Sequence, residues 1–270
     1  MLNKITVPIT LNTPQLKISI ITVCKNSERY LQETITSVQE QTYDTIEYII
    51  VDGISTDSTL EIVKHNRQTV DILISEADSG MYDAINKGLR VASGDYILVL
   101  NSDDVLASKN VIAKVVDQIG KRRLDYYYGN MVKLTDGKCK NVKLFPVSAK
   151  KLLLSTHGTF VPHPCFFVSK SLNETLAGYS LDYKYASDYD YILRALKSEN
   201  VKGSYLNNYI TKFRIHENSI TASGKIDLER KEILLKHGYY KYSNLTRSFY
   251  YYRLWLYYKI INLGHLYKAG

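Results

Sequence analysis

Short apolar runs alternate with polar segments of helical period through the first hundred residues. Residues 17–23 (KISIITV) are rich in β-branched side chains and run into a polar turn, CKNSE. Over residues 28–41, Leu31, Ile35 and Val38 recur at helical spacing, with Ser27 placed to cap the helix. EYIIVDG predicts a buried second strand, and Ser55 or Asp57 a cap for a helix through Leu60, Ile62 and Val63. DILISEAD and DYILVLNSDD predict a third and a fourth strand, with a helix over SGMYDAINKGLRVAS between them. Strands alternating with helices predict an α/β fold, a largely parallel sheet covered on both faces.

Beyond Asp104 the pattern loosens. VIAKVVDQI predicts a helix, and DYYYGNMVKL a strand that enters a turn at Asp136-Gly137. His157–Val168 reads as loop and strand with two X-Pro steps. Asp188–Lys197 (DYDYILRALK) predicts an amphipathic helix with acids at its start, where the helix dipole favours them. Asn207–His216 predicts a strand and residues 226–237 a helix.

Composition narrows the class. The chain has 270 residues, 45% hydrophobic and 23% charged, which excludes disordered, collagen-like and coiled-coil proteins. That length fits one large domain, or one with an appendage. No apolar run reaches the ~18–20 residues of a membrane span. MLNKITVPITLNTPQ lacks the apolar core of a secretory leader. Cys24, Cys139 and Cys165 are odd in number and match no zinc spacing, which predicts reduced thiols in the cytoplasm. The net charge of +8 is uneven: residues 1–119 hold 10 Lys/Arg against 16 Asp/Glu, so they carry −6 and the remainder +14. A basic half suits nucleic acid, an anionic membrane surface or a phosphorylated ligand.

Several polar groups fall where an α/β sheet binds ligands, beyond the carboxyl ends of its strands. Asp52 closes EYIIVDG and could accept from a base or ribose, or simply hold an Asp-Gly turn. NSDD (Asn101–Asp104) follows an apolar strand that cannot bury two adjacent carboxylates without a partner. Such a pair suits a divalent cation bound to phosphate, or caps the next helix. In ADSGMYDAINKG, Asp78, Gly80, Asp83, Asn86 and Lys87 gather at one helix start, and Lys87 could meet phosphate, pair with an acid or face solvent. Asp190 and Arg194 stand at i,i+4 and predict an ion pair, which leaves Asp188 as a cap or an exposed base. His163 and His216 could each reach a diphosphate or metal, or be structural.

In this order, SIITVCKN, IEYIIVDGISTDST, EADSGMYDAINKG, SGDYILVLNSDD and ASDYDYILRALK resemble the family 2 glycosyltransferases of the GT-A fold, from about Lys17 to Ser219. The nearest likeness is to bacterial enzymes of surface-polysaccharide synthesis. The resemblance implies a Rossmann-like, mostly parallel mixed sheet flanked by helices, and an inverting transfer from a UDP-sugar to a glycan or lipid-linked acceptor. It implies Thr22 lining the base pocket and Asp52 on the uracil. Asp78, Asp83 and Lys87 then lie around nucleotide and donor sugar, and Asp103 near ribose or sugar. Asp104 would coordinate Mn²⁺ or Mg²⁺, with His216 as a further metal or diphosphate ligand, and Asp188 would be the catalytic base. The family's acid before that base is Ser187 here.

The expected organisation is an N-terminal extension (1–16), a catalytic domain (17–222, with nucleotide part 17–105 and acceptor part 106–222) and a helical tail (223–270). Residues 239–270 hold 9 tyrosines, 1 tryptophan, 5 Lys/Arg and no acid, with Tyr251, Leu254, Tyr258 and Ile261 on one helical face. That composition suits peripheral contact with the inner face of the cytoplasmic membrane, packing on the domain, or a homodimer contact. A sugar nucleotidyltransferase is the competing enzyme, but CKNSERY lacks its Gly-rich triphosphate loop. A non-catalytic nucleotide-sugar-binding or membrane scaffold is opposed by the intact acids. Nucleic acid is disfavoured because acidic strand exits repel phosphate.

Overall fold

The computed structural model describes residues 15–154, 161–216 and 226–263; residues 1–14 of the expected extension (1–16), residues 157–160 of the expected loop and strand, and the boundary at 222/223 lie outside them. β1 (Ile18–Cys24), β2 (Ile46–Asp52), β3 (Ile72–Ser75) and β4 (Tyr96–Val99) pair in parallel in the order β3-β2-β1-β4. α1 (Leu31–Gln39), α2 (Thr59–His65) and α3 (Met81–Val91) connect them. Every residue of β1 is buried, as a central parallel strand requires. The chain leaves β1 toward β2 and β3, then crosses to β4 on the other side. The crevice between the carboxyl ends of β1 and β4 is therefore a topological switch point.

The second half extends this sheet. β5 (Val105–Leu106), α4 (Val111–Lys121), β6 (Tyr126–Thr135), β7 (Lys138–Val142), α5 (Ala149–Leu154), β8 (Phe166–Ser169), α6 (Lys170–Leu176), α7 (Ser187–Lys197) and β9 (Gly203–Ile215) follow in sequence. The sheet continues β4-β8-β6-β9-β5. β8 runs antiparallel to β4 and β6, β9 parallel to β6, and β5 antiparallel to β9, so the sheet is mixed.

The expected strands and helices are present, with differences of local origin. α1 begins at Leu31 rather than 28, and its N-cap is Tyr30; the Ser27 hydroxyl meets Ser102 Oγ at 3.0 Å instead. β7 was not legible because its side chains, Lys-Cys-Lys-Asn, are exposed and show no alternation. It forms because Asp136 (φ 49°) and Gly137 (φ 74°) make a two-residue turn with both φ positive, the hairpin geometry. α6 has no apolar stripe long enough to read, yet Ser169 caps it by accepting from the Leu172 N–H at 3.2 Å.

The tail forms α8 (Ile226–Lys236), a 3-10 turn (Tyr239–Lys241) and α9 (Asn244–Leu263). The face of α9 expected to be apolar faces the domain: Leu254 is buried, and Tyr258 and Ile261 pack on the core. Asn262 accepts from the Lys143 N–H (2.9 Å) and donates to its carbonyl (3.1 Å), and Tyr257 packs edge-on against Phe145. No helix among the described residues is long and apolar enough to cross a membrane.

Candidate active site

The strand exits at the switch point are held by short polar bridges. Asp52 is fully buried, and its carboxylate accepts from the Ser55 N–H and hydroxyl and from Ser75 Oγ at 2.8 Å. Its oxygens thus shape the β2–α2 turn, the plainer of its two readings. Thr22 is buried too and accepts from Tyr48 Oη at 3.1 Å, so it sits within the core rather than lining an open pocket.

The turn after Asp52 brings the next acid close. A Cβ on Gly53 would lie 2.2 Å from Asp78 Oδ2, so glycine leaves the space that the Asp78 carboxylate takes beside the end of β2. Ile54 follows with φ 58°, a left-handed conformation that β-branched residues rarely adopt, and its side chain is exposed. Relieving ~1–3 kcal/mol of such strain outweighs the entropy cost of glycine, ~0.5–1 kcal/mol. Ile54→Gly is expected to raise the thermal midpoint by ~2–4 °C. A midpoint that stays level or falls in calorimetry contradicts the strain.

The 76–80 loop is stapled to α3. Asp78 Oδ1 accepts from the Gly80 N–H at 2.9 Å. Asp83 accepts from the Ser79 N–H at 3.0 Å, which, despite burial, holds its carboxyl below the usual range. Lys87 turns back onto the same segment. It is buried, donates to the Ala77 carbonyl, and lies 3.0 Å from Glu76 and 3.9 Å from Asp83. Three oxygens thus surround the ammonium, two from the 76–80 loop and one from Asp83 of α3 itself.

The two acids of the 101–104 turn have opposite environments. Asp104 is fully buried; Oδ1 accepts from the Arg214 N–H at 2.8 Å and Oδ2 from Asn101 Nδ2 at 2.9 Å. Burial, with Asp103 beside it, pushes its carboxyl well above the usual range. Asp103 is partly exposed, and its Oδ2 stands 3.1 Å from His216 Nε2. Asp104 thus ties β9 to the turn, whereas Asp103 is the acid presented beside His216. One oxygen and one nitrogen donor at this spacing would supply part of a divalent cation's shell; among the described residues no group of three or more His, Cys, Asp or Glu side chains is arranged to hold one. Arg214 frames this corner by donating to the Asp103 carbonyl at 2.9 Å, pairing with Glu33 at 2.6 Å and stacking 4.2 Å over Tyr30. The Tyr30 ring also lies 5.6 Å from that of His216. Neither Tyr30 nor Arg214 carries a sequence signal, since the fold brings the start of α1 and the end of β9 together.

Asp188 stands half-buried at the start of α7. Its Oδ1 accepts from the Tyr189 N–H at 2.8 Å and from Tyr82 Oη at 3.2 Å. Among the described residues no side chain donates to Oδ2. Tyr82 lies in the first turn of α3, which follows β3, so Asp188 is on the side of the sheet where the strands exit. Burial and the charge of Asp188 push the Tyr82 hydroxyl well above its usual range and keep it a donor.

Beneath lies a stack of tyrosines, Tyr82 on Tyr179 (5.8 Å) and Tyr179 on Tyr191 (4.2 Å). Tyr179 Oη meets His163 Nε2 at 2.6 Å, and burial pushes the His163 imidazole below its usual value. His163 is thus structural. Asn86 donates to the Tyr179 carbonyl and accepts from its N–H, both at 2.8 Å. Asp190 pairs with Arg194 at 2.7 Å, the i,i+4 bridge read from the sequence.

The family model of Glycosyl transferase family 2 matches residues 19–176. A glycosyltransferase of Mycobacterium tuberculosis, named as uncharacterized, is 34% identical over 180 residues, covering 66% of this chain and 68% of that protein. A PGL/p-HBAD biosynthesis glycosyltransferase of Mycobacterium bovis is 27% identical over 199 residues, covering 72% and 75%. Among solved structures, S. aureus TarS 1–349 in complex with UDP-GlcNAc superposes with a TM-score of 0.69 at 19% identity, over 88% of this chain and 71% of that one. The mannosyltransferase PcManGT of Pyrobaculum calidifontis, in complex with GDP-Man and Mn²⁺, gives 0.59 at 16% identity, over 96% and 77%. At these identities the structural likeness concerns the GT-A fold.

Proposed function

We infer, because the chain belongs to glycosyl transferase family 2, that it moves a sugar from a nucleoside diphosphate to an acceptor hydroxyl with inversion at the anomeric carbon. The observation that carries this reading is Asp188, anchored through one oxygen by Tyr82 and open at the other. It stands on the side of the sheet where Asp103 and His216 meet.

Each half of the reaction has its group. The acceptor hydroxyl gives its proton to Asp188 Oδ2 as its oxygen attacks the anomeric carbon. The bond from that carbon to the diphosphate oxygen breaks, and the electron pair leaves with the nucleoside diphosphate. A single displacement of an α-linked donor yields a β-linked product. Asp103 and His216 would hold Mn²⁺ or Mg²⁺, which supplies charge neutralisation for the leaving diphosphate. Asp78, at the mouth of the Gly53–Ser55 turn, lies where nucleotide and donor sugar would run, and Asp52 keeps that turn in shape. Holding both substrates in line supplies much of the remaining acceleration.

The donor we propose is a UDP-sugar, a nucleotide also bound by the S. aureus structural relative. The acceptor is a glycan or lipid-linked glycan of a surface polysaccharide. The test is a screen of UDP-glucose, UDP-galactose, UDP-GlcNAc and GDP-mannose for hydrolysis with and without Mn²⁺. Release of nucleoside diphosphate that requires the metal supports the assignment, and its absence with every donor removes it.

A peripheral membrane contact belongs to the same reading, through the face of α9 turned away from the domain. Leu245, Phe249, Tyr252, Leu256 and Ile260 form an exposed stripe there, with Arg253 and Lys259 beside it and no acid on the helix. A self-pairing of this face would set cation against cation, whereas an anionic lipid surface complements it. Each such cation contributes ~1 kcal/mol near that surface, and aromatic rings add interfacial burial. Full-length protein is expected to co-sediment with vesicles containing anionic phosphatidylglycerol, and Phe249→Ser with Leu256→Ser to abolish it. Equal binding by both, or by neither, rejects the contact.

A further inference from the structure

We propose that Glu229, on α8, is a positioning residue for Asp188, an inference that rests on Asp188 being the base. α7 begins without a cap of its own: the residue preceding it is Ala186, which has no side chain to accept from the first turn. The segment that leads into the helix is held from outside. Glu229 Oε1 accepts from the Lys184 N–H at 2.8 Å, and Oε2 from the Tyr185 and Ala186 N–H groups at 2.7 and 2.9 Å. Three successive backbone donors thus converge on one carboxylate from a helix more than forty residues further along the chain. These are charge-assisted bonds at a helix N-terminus, where negative charge is favoured.

The rest of α8 keeps this carboxylate in place. Ile233 and Leu234 are buried one turn on. Past the helix end, His237 Nε2 lies 2.9 Å from the buried Asp190 Oδ1, and Lys197 Nζ donates to the His237 carbonyl at 3.1 Å. α8 therefore straps α7 at both ends, and Ala186, the last amide that Glu229 holds, is two residues in sequence from Asp188. The strap matters for catalysis because Asp188 must meet a hydroxyl it does not itself bind. Tyr82 fixes the orientation of the carboxylate, while Glu229 fixes the backbone from which that carboxylate springs.

The experiment uses the full chain. Hydrogen exchange, read on peptides spanning 180–190, reports the three amides directly. Turnover is read with whichever of UDP-glucose, UDP-galactose, UDP-GlcNAc and GDP-mannose is hydrolysed fastest. Glu229→Ala is expected to speed exchange across 184–186 and to lower kcat ~10–100-fold with donor KM and UDP affinity within about twofold. Glu229→Gln keeps a carbonyl oxygen for the Tyr185 and Ala186 donors and is expected to recover kcat to within about fivefold of wild type. Asp227→Ala, which removes an exposed acid from the same helix, is expected to change neither readout.

Unchanged exchange in Glu229→Ala, or faster exchange with normal kcat, overturns the proposal. So does a parallel loss of kcat and UDP affinity, or of thermal stability in both Glu229 variants, which marks a general structural role. Asp188→Asn, assayed alongside, separates the two claims: if it retains turnover the base assignment fails, whatever Glu229 does.

Discussion

Asp188→Asn is expected to lower transfer ~100–10,000-fold, the range for losing a general base. The amide keeps the shape of the carboxylate and can still accept from Tyr82 Oη and the Tyr189 N–H through its oxygen. What it cannot do is take the proton of the attacking hydroxyl. The loss should therefore fall on kcat, with donor KM and UDP affinity nearly unchanged, the pattern of an interaction made only in the transition state. Calorimetric titration with UDP and steady-state kinetics on the same preparation check both halves. Near-normal turnover would remove Asp188 from the role, and a matching loss of UDP affinity would make it a binding residue instead.

Asp103→Ala and Asp104→Ala are expected to fail in opposite ways. Asp103 is the exposed partner of His216, so its loss should abolish the Mn²⁺ dependence of UDP binding and cost ~100-fold or more in turnover. Its thermal midpoint should hardly move, because the side chain is partly solvated. Asp104 accepts from both Asn101 and the Arg214 backbone in a fully buried site. Removing it strands two half-buried donors at ~1 kcal/mol or more each, which should lower the midpoint by several degrees. Scanning calorimetry with UDP titrations in the presence and absence of Mn²⁺ distinguishes them. A midpoint collapse in Asp103→Ala, or a stable Asp104→Ala that has lost metal response, would reverse the assignment.

The first four strands and their helices were legible because each is a continuous apolar run or a helix-periodic segment bounded by polar turns. Asp188 was legible because its acid stands at the start of a strongly amphipathic helix. Orientation was not legible. β1 is buried on both faces, so no alternation tells which way Thr22 points. In NSDD two identical side chains sit side by side. The structure separates them through the Arg214 N–H, 110 residues further along the chain. Lys87 could have met a phosphate or its own loop, and only the fold of residues 76–80 decides. The strap over α7 is carried by backbone N–H groups, which every residue except proline possesses, so no residue type signals it.

The paired hydrogen bonds between Asn86 and Tyr179 restrict how the two halves of the enzyme can be exchanged. The match to the family model ends at residue 176, just short of this contact. Gly178 lies at the seam with φ 77°, and a Cβ there would stand 2.6 Å from Asn86 Oδ1. A chimaera that keeps the first half of this chain and borrows the second must therefore inherit asparagine 86 and glycine 178 together. The unit that has to be exchanged whole crosses the seam and includes one turn of α3.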